Sequence, residues 1–336
     1  MREYNLAVIG ATSIIGKEIV NSLEQRDFPL GELRLLATEQ TAGMTVSYKG
    51  KDVTVQKLTE TALKGIDIAF FAATADISLK FAPLAVQTGA VVIDTTSAFR
   101  LAPDVPLIIP EVNPHIITSH KGIIASPGGA TIQLVVVLRP IHTLARLRRI
   151  VVATYQAVSV AGQEGIAELD RQVRHIFNHK NIVCQTFPHQ IAFNCLPQIG
   201  AFLDNGYTQE EMNLINETRK ILGLEHLRIT ATAVCVPVFY GHAEAVNIET
   251  EKKISPEEVG VLLEETQGVK VVDDPPNNLY PLTIEAMGED EIVVGRIRED
   301  ESLDNGINLW IVNDNLKKGA ALNAVQIAET LIWGGE

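Results

Sequence analysis

Residues 6–16 read Leu-Ala-Val-Ile-Gly-Ala-Thr-Ser-Ile-Ile-Gly, an apolar run broken by Gly10, and apolar residues then return at helical spacing over 15–23. A buried strand that turns sharply into a helix is the opening unit of a parallel sheet, because parallel neighbours are joined by crossover connections. The turn itself comprises Gly10, Ala11, Thr12, Ser13, Ile14, Ile15 and Gly16. It has the chemistry of a dinucleotide-phosphate cradle: N–H groups at a helix N-terminus face a pyrophosphate, and small residues allow close approach. Ser13 departs from the usual fingerprint, since a Cβ there hinders approach while its hydroxyl can donate to phosphate. The alternative is a strand–helix turn that merely needs glycine.

Moving outward, residues 33–36, 68–71 and 91–93 are further buried-strand candidates, and 77–86 has helical periodicity. Strand, helix, strand at this spacing predicts an α/β fold, an N-terminal Rossmann-like dinucleotide-binding domain with helices on both sheet faces. After the second strand stands Glu39, where an acidic residue contacts an adenosine ribose 2′-hydroxyl and a basic one accepts a 2′-phosphate. With nothing basic in 38–44 this favours NAD over NADP; a solvated loop glutamate is the alternative. The pattern changes at Pro127-Gly128-Gly129, ahead of a helix over 131–146. Beyond it come long β-rich runs at 149–158, 228–239, 243–248, 291–297 and 307–312, separated by helical stretches at 164–177, 209–222 and 256–265. These predict a central α+β domain whose sheet is mainly antiparallel and covered by helices on one face. A closing helix over 320–333 places Ala321, Val325, Ala328 and Ile332 on one face.

The 336 residues suit two domains. Lys and Arg number 28 against 41 Asp and Glu, a net charge of −13, which disfavours nucleic acid and anionic lipid as partners. No apolar run approaches the roughly 18 residues a membrane span needs. The N-terminus carries an acidic residue early and lacks the pattern of a secretory signal. The three cysteines, Cys184, Cys195 and Cys235, show no CxxC spacing. They predict neither a disulfide scaffold nor a metal site, and fit a reducing cytoplasm.

Several stretches carry a resemblance: the glycine turn, 94–100 (DTTSAFR), 106–114 (PLIIPEVNP), 130–133 (ATIQ), 191–200 (IAFNCLPQIG), 216–222 (NETRKIL), 237–242 (PVFYGH) and 314–321 (DNLKKGAA). In this order and spacing the chain resembles the aspartate-semialdehyde dehydrogenase family over essentially its whole length. The resemblance implies a dinucleotide-binding domain from 1–127 plus 317–336, and a substrate and dimerisation domain from 128–316. It also implies a homodimer, NAD or NADP as cofactor with Asn315 among its contacts, and reduction of aspartyl phosphate through a cysteine thioester. Arg100, Glu217 and Lys220 match positions that bind or position substrate, Gln156 matches an active-site glutamine, and His242 matches the proton-transfer histidine.

The resemblance fails where that chemistry lives. Gly129 stands at the nucleophile's position, and glycine has no side-chain atom to attack a carbonyl. Cys235 stands where an arginine would clamp the substrate carboxylate, and Val160 replaces a glycine. Gln40 and Met44 replace cations of the cofactor loop, Thr74-Ala75 a glycine pair, and Thr95 an asparagine. The pattern is closest to the Usg-type paralogues that lack the catalytic cysteine. It predicts a dimeric ligand-binding or scaffold paralogue, with a dinucleotide or a small anionic metabolite held by Arg100 and Lys220 as ligand. The alternatives are an active nicotinamide-dependent oxidoreductase of amino-acid biosynthesis using another residue such as Cys235, and a subunit that associates with an intact homologue through the surface around 193–200.

Overall fold

The computed structural model describes residues 2–334; Met1, Gly335 and Glu336, at the ends of the expected dinucleotide domain, lie outside that range. The chain divides into two compact units. One holds the described residues through Gly128 together with those from Leu316 on, and the other is Gly129–Asn315.

The first unit opens with β1 (Tyr4–Ile9), α1 (Ile14–Gln25), β2 (Leu30–Ala37), β3 (Thr45–Tyr48), β4 (Lys51–Thr54), β5 (Gln56–Lys57), β6 (Ile68–Phe71), α2 (Ala75–Gln87), β7 (Val91–Asp94) and β8 (Ile123–Ala125). Six of these strands form an all-parallel sheet in the order β5-β2-β1-β6-β7-β8. Alternate residues of each strand feed opposite faces. Leu6, Val8, Phe70 and Ile93 pack with Ile19 and Leu23 of α1, while Ala7, Ile9, Phe71 and Val92 pack with Ala82 and Ala85 of α2. Burial on both faces is why these strands appear in sequence as continuous apolar runs. The β3–β4 hairpin is an addition to the expected elements. Its turn residues Lys49 and Gly50 both have positive φ, +49° and +72°, as two-residue hairpin turns favour.

The second unit contains α3 (Gly129–Ala145), β9 (Leu147–Gln156), α4 (Gly162–Phe177), α5 (Gln209–Leu222), β10 (Arg228–Cys235), β11 (His242–Thr250), α6 (Pro256–Glu264), β12 (Val269–Val271), β13 (Ile292–Asp300) and β14 (Gly306–Asn313). Its sheet runs β10-β9-β11-β14-β13-β12. The three central pairings are antiparallel as expected, but both outer pairings, β10–β9 and β12–β13, are parallel. The sheet is thus mainly antiparallel, and the parallel β10–β9 edge has a topological cause: between these strands the chain passes through two helices, a crossover long enough to re-enter the sheet in the same direction. Two expected strands also end early. β9 gives way to a 3-10 turn at Val158–Ala161, and β10 stops at Cys235, ahead of Pro237, which has no N–H for a ladder. Helix α3 is apolar nearly all round, from Ala130 to Ala145, as a helix enclosed by other elements must be. It packs against β11, β14, α5 and α6. Helix α5 begins with a capping box in which Thr208 and Glu211 bond reciprocally. The second Glu211 oxygen accepts from the Ala233 N–H at 2.9 Å, fastening the helix to β10.

The chain then returns to the first unit through a π-helical turn at Lys317–Ala321 and α7 (Leu322–Trp333). Ala321, Val325 and Ala328 are buried in the same cluster as α1, as their spacing predicts. The turn buries Lys318 completely. Its ammonium donates to Glu111 at 2.6 Å and to Gln326 at 2.7 Å, and Gln326 also donates to Glu111 at 3.0 Å. Removing one partner of such a pair strands the other charge in a low-dielectric interior, at a cost of about 3–5 kcal/mol. Lys318→Met is therefore expected to lower the free energy of denaturant unfolding by about that amount. Arg26→Ala, which breaks the half-exposed pair with Glu329, should cost no more than about 1 kcal/mol. Equal effects from the two substitutions would contradict this ranking.

Candidate active site

In the first unit the glycine turn has the strained geometry its sequence suggests. Gly10 has φ +84°, and a Cβ there would lie 2.5 Å from the Ala72 carbonyl oxygen. A Cβ on Gly16 would lie 2.1 Å from the Gly10 carbonyl oxygen, so helix and turn meet only through glycine. Ser13 is the N-cap of α1. Its hydroxyl accepts from the Gly16 N–H and donates to the Ala72 carbonyl, both at 2.9 Å. Ala11 and Ser13 direct their own N–H groups to the Leu36 and Gly10 carbonyls. The Thr12, Ile14 and Ile15 N–H groups have no acceptor among the described residues, so the cradle keeps donors for an anion at the positive end of the helix. Thr12 donates from its side chain to Thr41 at 3.1 Å. Glu39 is exposed and pairs with Lys57 at 2.9 Å, a cation that sequence spacing could not place beside it. Arg100 donates to the Ser126 and Thr95 carbonyls at 3.0 and 2.8 Å. Nearby, burial raises the Asp94 carboxyl above its usual range against the hydroxyls of Ser78 and Thr96, which bond it.

In the second unit, strand register assembles the site. β9 lies between β10 and β11, and Gln156 pairs directly with Cys235. The next residue, Ala157, donates its N–H to His242 Nδ1 at 3.2 Å, which leaves the ring proton on Nε2. Burial pushes His242 down to about 4, although the Gly241 backbone and Asp314 act in the opposite sense. At neutral pH the imidazole is therefore uncharged. Asn315 accepts from the Gly241 N–H at 2.8 Å and donates to Ser159 at 3.0 Å, so its side chain fastens the histidine's turn to the 3-10 turn. Gln156 donates to Glu210 at 3.1 Å and Thr154 at 3.3 Å. Elsewhere in this unit Gly129 opens α3, and Thr131 on its first turn donates to the buried Glu217 at 2.9 Å. Partial burial lowers Lys220 below the usual lysine range, while Glu217 opposes the shift.

Cys235 is 1% exposed and packed among Val158, Leu169, Ile191, Ala192 and Leu196. Burial, with Cys195 adding to it, pushes its thiol up to about 12. Two buried side chains that sequence reasoning missed organise this neighbourhood. Glu168 accepts from the N–H groups of Gln185, Thr186 and Phe187 at 2.8, 2.7 and 3.4 Å. Gln172 accepts from those of Ile191 and Ala192 at 2.9 and 3.0 Å. On α4 they look like ordinary polar helix positions, and only the folding back of the distant loop gives them partners. A third buried set is Gln133, Glu244 and Asn313, none of whose side-chain polar atoms finds a hydrogen-bond partner among the described residues.

The two units are thus a parallel nucleotide-type sheet with a glycine turn and a helix-backed mixed sheet carrying a buried histidine. Residues 5–120 match the family model of the semialdehyde dehydrogenase NAD binding domain, and 138–318 match the semialdehyde dehydrogenase dimerisation domain. The aspartate-semialdehyde dehydrogenase of Aquifex aeolicus is 49% identical over 336 residues, covering 99% of each chain. That of Bacillus subtilis is 45% identical over 338 residues, covering 98% of each. The crystal structure of aspartate semialdehyde dehydrogenase II from Vibrio cholerae superposes with a TM-score of 0.96 at 46% identity, over 98% of this chain and 99% of that one. The chain belongs to the aspartate-semialdehyde dehydrogenase family. Among the described residues no helix is long and apolar enough to cross a membrane, and no cluster of ligands suits a metal ion.

Two measurements test these electrostatics. Iodoacetamide at mildly alkaline pH should label the exposed Cys184 and Cys195 and leave Cys235 unlabelled until the protein is denatured; rapid native labelling of Cys235 would contradict its burial. A histidine held at about 4 in the fold instead of 6.5 stays neutral while the unfolded chain takes up a proton. Its contribution to stability is complete above the unfolded value and is lost as pH falls toward 4, with a limiting slope of about 1.4 kcal/mol per pH unit. Urea unfolding across pH 4.5–7.5 should therefore show a shallower acid decline in His242→Asn than in the parent.

Proposed function

We propose that this chain is a ligand-binding or scaffold paralogue within its family, acting as a cytoplasmic homodimer and unable to run thioester-based reduction of aspartyl phosphate. The observation that carries the reading is Gly129, which opens α3 where the resemblance puts a nucleophilic cysteine. A helix N-terminus there would favour a thiolate, but glycine presents no sulfur. Without an acyl-enzyme bond there is no thioester carbonyl to receive hydride, whatever nicotinamide is bound.

The surrounding residues agree. Gln156 is engaged by Glu210, and the retained His242 is an uncharged imidazole with no thiol partner at position 129. The alternative, an active oxidoreductase working through Cys235, requires a thiolate. A thiol at about 12 has on the order of 10⁻⁵ of its population ionised at pH 7. Binding of NAD or NADP is supported by the free N–H groups of the cradle and by the match to a NAD binding domain. Glu39 favours NAD through a ribose hydroxyl, although its pairing with Lys57 places a cation near the position a 2′-phosphate would take. Arg100 and Lys220 retain the charge to attract small anionic metabolites, and the dimerisation match supports a second copy, or an intact homologue, as partner.

The test is a phosphate-dependent assay of NAD and NADP reduction with aspartate semialdehyde. The expected rate lies at least about 10⁴-fold below that of the related enzymes, the scale of loss when a nucleophile is removed. Thermal unfolding with each cofactor runs in parallel, where occupancy at a hundredfold excess over Kd adds about 2.7 kcal/mol. Turnover near that of the relatives, or an acyl adduct trapped on the chain, would overturn the proposal.

A further inference from the structure

The second unit holds an open-mouthed cavity of about 560 Å³ lined by Ala161, the segments 185–188 and 198–200, and Cys235 and Val160, two positions where the family's pattern is lost. Every lining side chain is uncharged. Val160, Phe187, Pro188 and Ile199 give it apolar walls, and Gln185, Thr186 and Gln198 place two carboxamides and a hydroxyl among them. The Gln185 carboxamide has no hydrogen-bond partner among the described residues. The walls are held from behind. Glu168, itself fully buried, gathers the N–H groups of the Gln185–Phe187 segment, and Leu196 exchanges both backbone hydrogen bonds with Cys235 at 2.8 and 2.9 Å. A loop pinned by a buried carboxylate keeps its shape without a ligand, so the cavity is ready-formed.

We propose that this cavity is a binding site for an uncharged small molecule with an aliphatic or aromatic body and one amide- or hydroxyl-type hydrogen-bonding group. The ligand's body would lie against Phe187, Ile199 and Val160, and its polar group would meet the Gln185 or Gln198 carboxamide. A carboxylate or phosphate entering the same space would lose its water against the Cys235 thiol and apolar walls and meet no cation there. Uncompensated desolvation of that kind is what excludes charged ligands from neutral pockets. The inference goes beyond the proposed function, because it concerns ligand chemistry in one unit and is independent of turnover and of dinucleotide binding.

The test titrates the intact protein at pH 7 by ligand-observed NMR with matched pairs: isovaleramide against isovalerate, and benzamide against benzoate. The neutral member of at least one pair should bind about tenfold or more tighter than its carboxylate, reflecting the desolvation penalty. Val160→Trp, at a 40% exposed position on the cavity wall, should abolish that binding with an unchanged melting temperature. Should this variant be destabilised, Gln185→Leu serves instead and should weaken the amides selectively. Equal or tighter binding of the carboxylates, binding of neither class, or amide binding that survives both substitutions would overturn the proposal. Robust dehydrogenase turnover together with amide selectivity would overturn the proposed function alone.

Discussion

The register of three strands governs what the second unit can do. β9 between β10 and β11 sets Cys235 beside Gln156 and brings the following N–H onto the His242 ring. A one-residue slip in any of these pairings would send each side chain to the opposite face of the sheet. The register is fixed from outside as well. The capping box of α5 ends in a carboxylate bonded to β10, and Asn315 anchors the turn in which His242 sits. Few of these supporting side chains touch one another in sequence, yet together they leave the histidine one orientation.

Burial then decides the chemistry of the groups so placed. The same exclusion of water keeps His242 neutral and Cys235 protonated. It also pushes the Glu244 carboxyl well above its usual range, an effect of burial that the neighbouring Gln133 amide only partly opposes. Buried charge survives only where several hydrogen-bond partners converge on it. Glu168 is held below the usual carboxylate range by three backbone N–H groups, despite its desolvation, and Lys318 is held by Glu111 and Gln326. Of the two cations at positions that match the family's pattern, Arg100 donates to the Ser126 and Thr95 carbonyls, and Lys220 is lowered by partial burial against the influence of Glu217.

Much of this was legible in the residues. The parallel first sheet followed from apolar runs at 68–71 and 91–93, because strands buried on both faces have no polar alternation to disguise them. The end of β10 could have been seen at Pro237, and the β3–β4 hairpin at Lys49-Gly50 between alternating strands. The parallel pairing of β10 with β9 was hidden, since direction depends on the path of a 71-residue connection, 157–227, and not on the strands themselves. Among site residues, the glycines of the turn announced their role through the close approach they permit. Lys57, Glu168 and Gln172 gave no such signal, as their partners lie on segments brought near only by folding.

The sequence by itself determined the family, the alternation of strand and helix in the first unit, and the absence of a side chain at position 129, because identity and periodicity are local properties. Tertiary structure alone decided that Cys235 is buried with its thiol raised, that burial lowers His242, and that a cation stands beside Glu39. Those outcomes depend on which groups are deprived of water and which are brought within a few ångströms, and both are set by long-range packing.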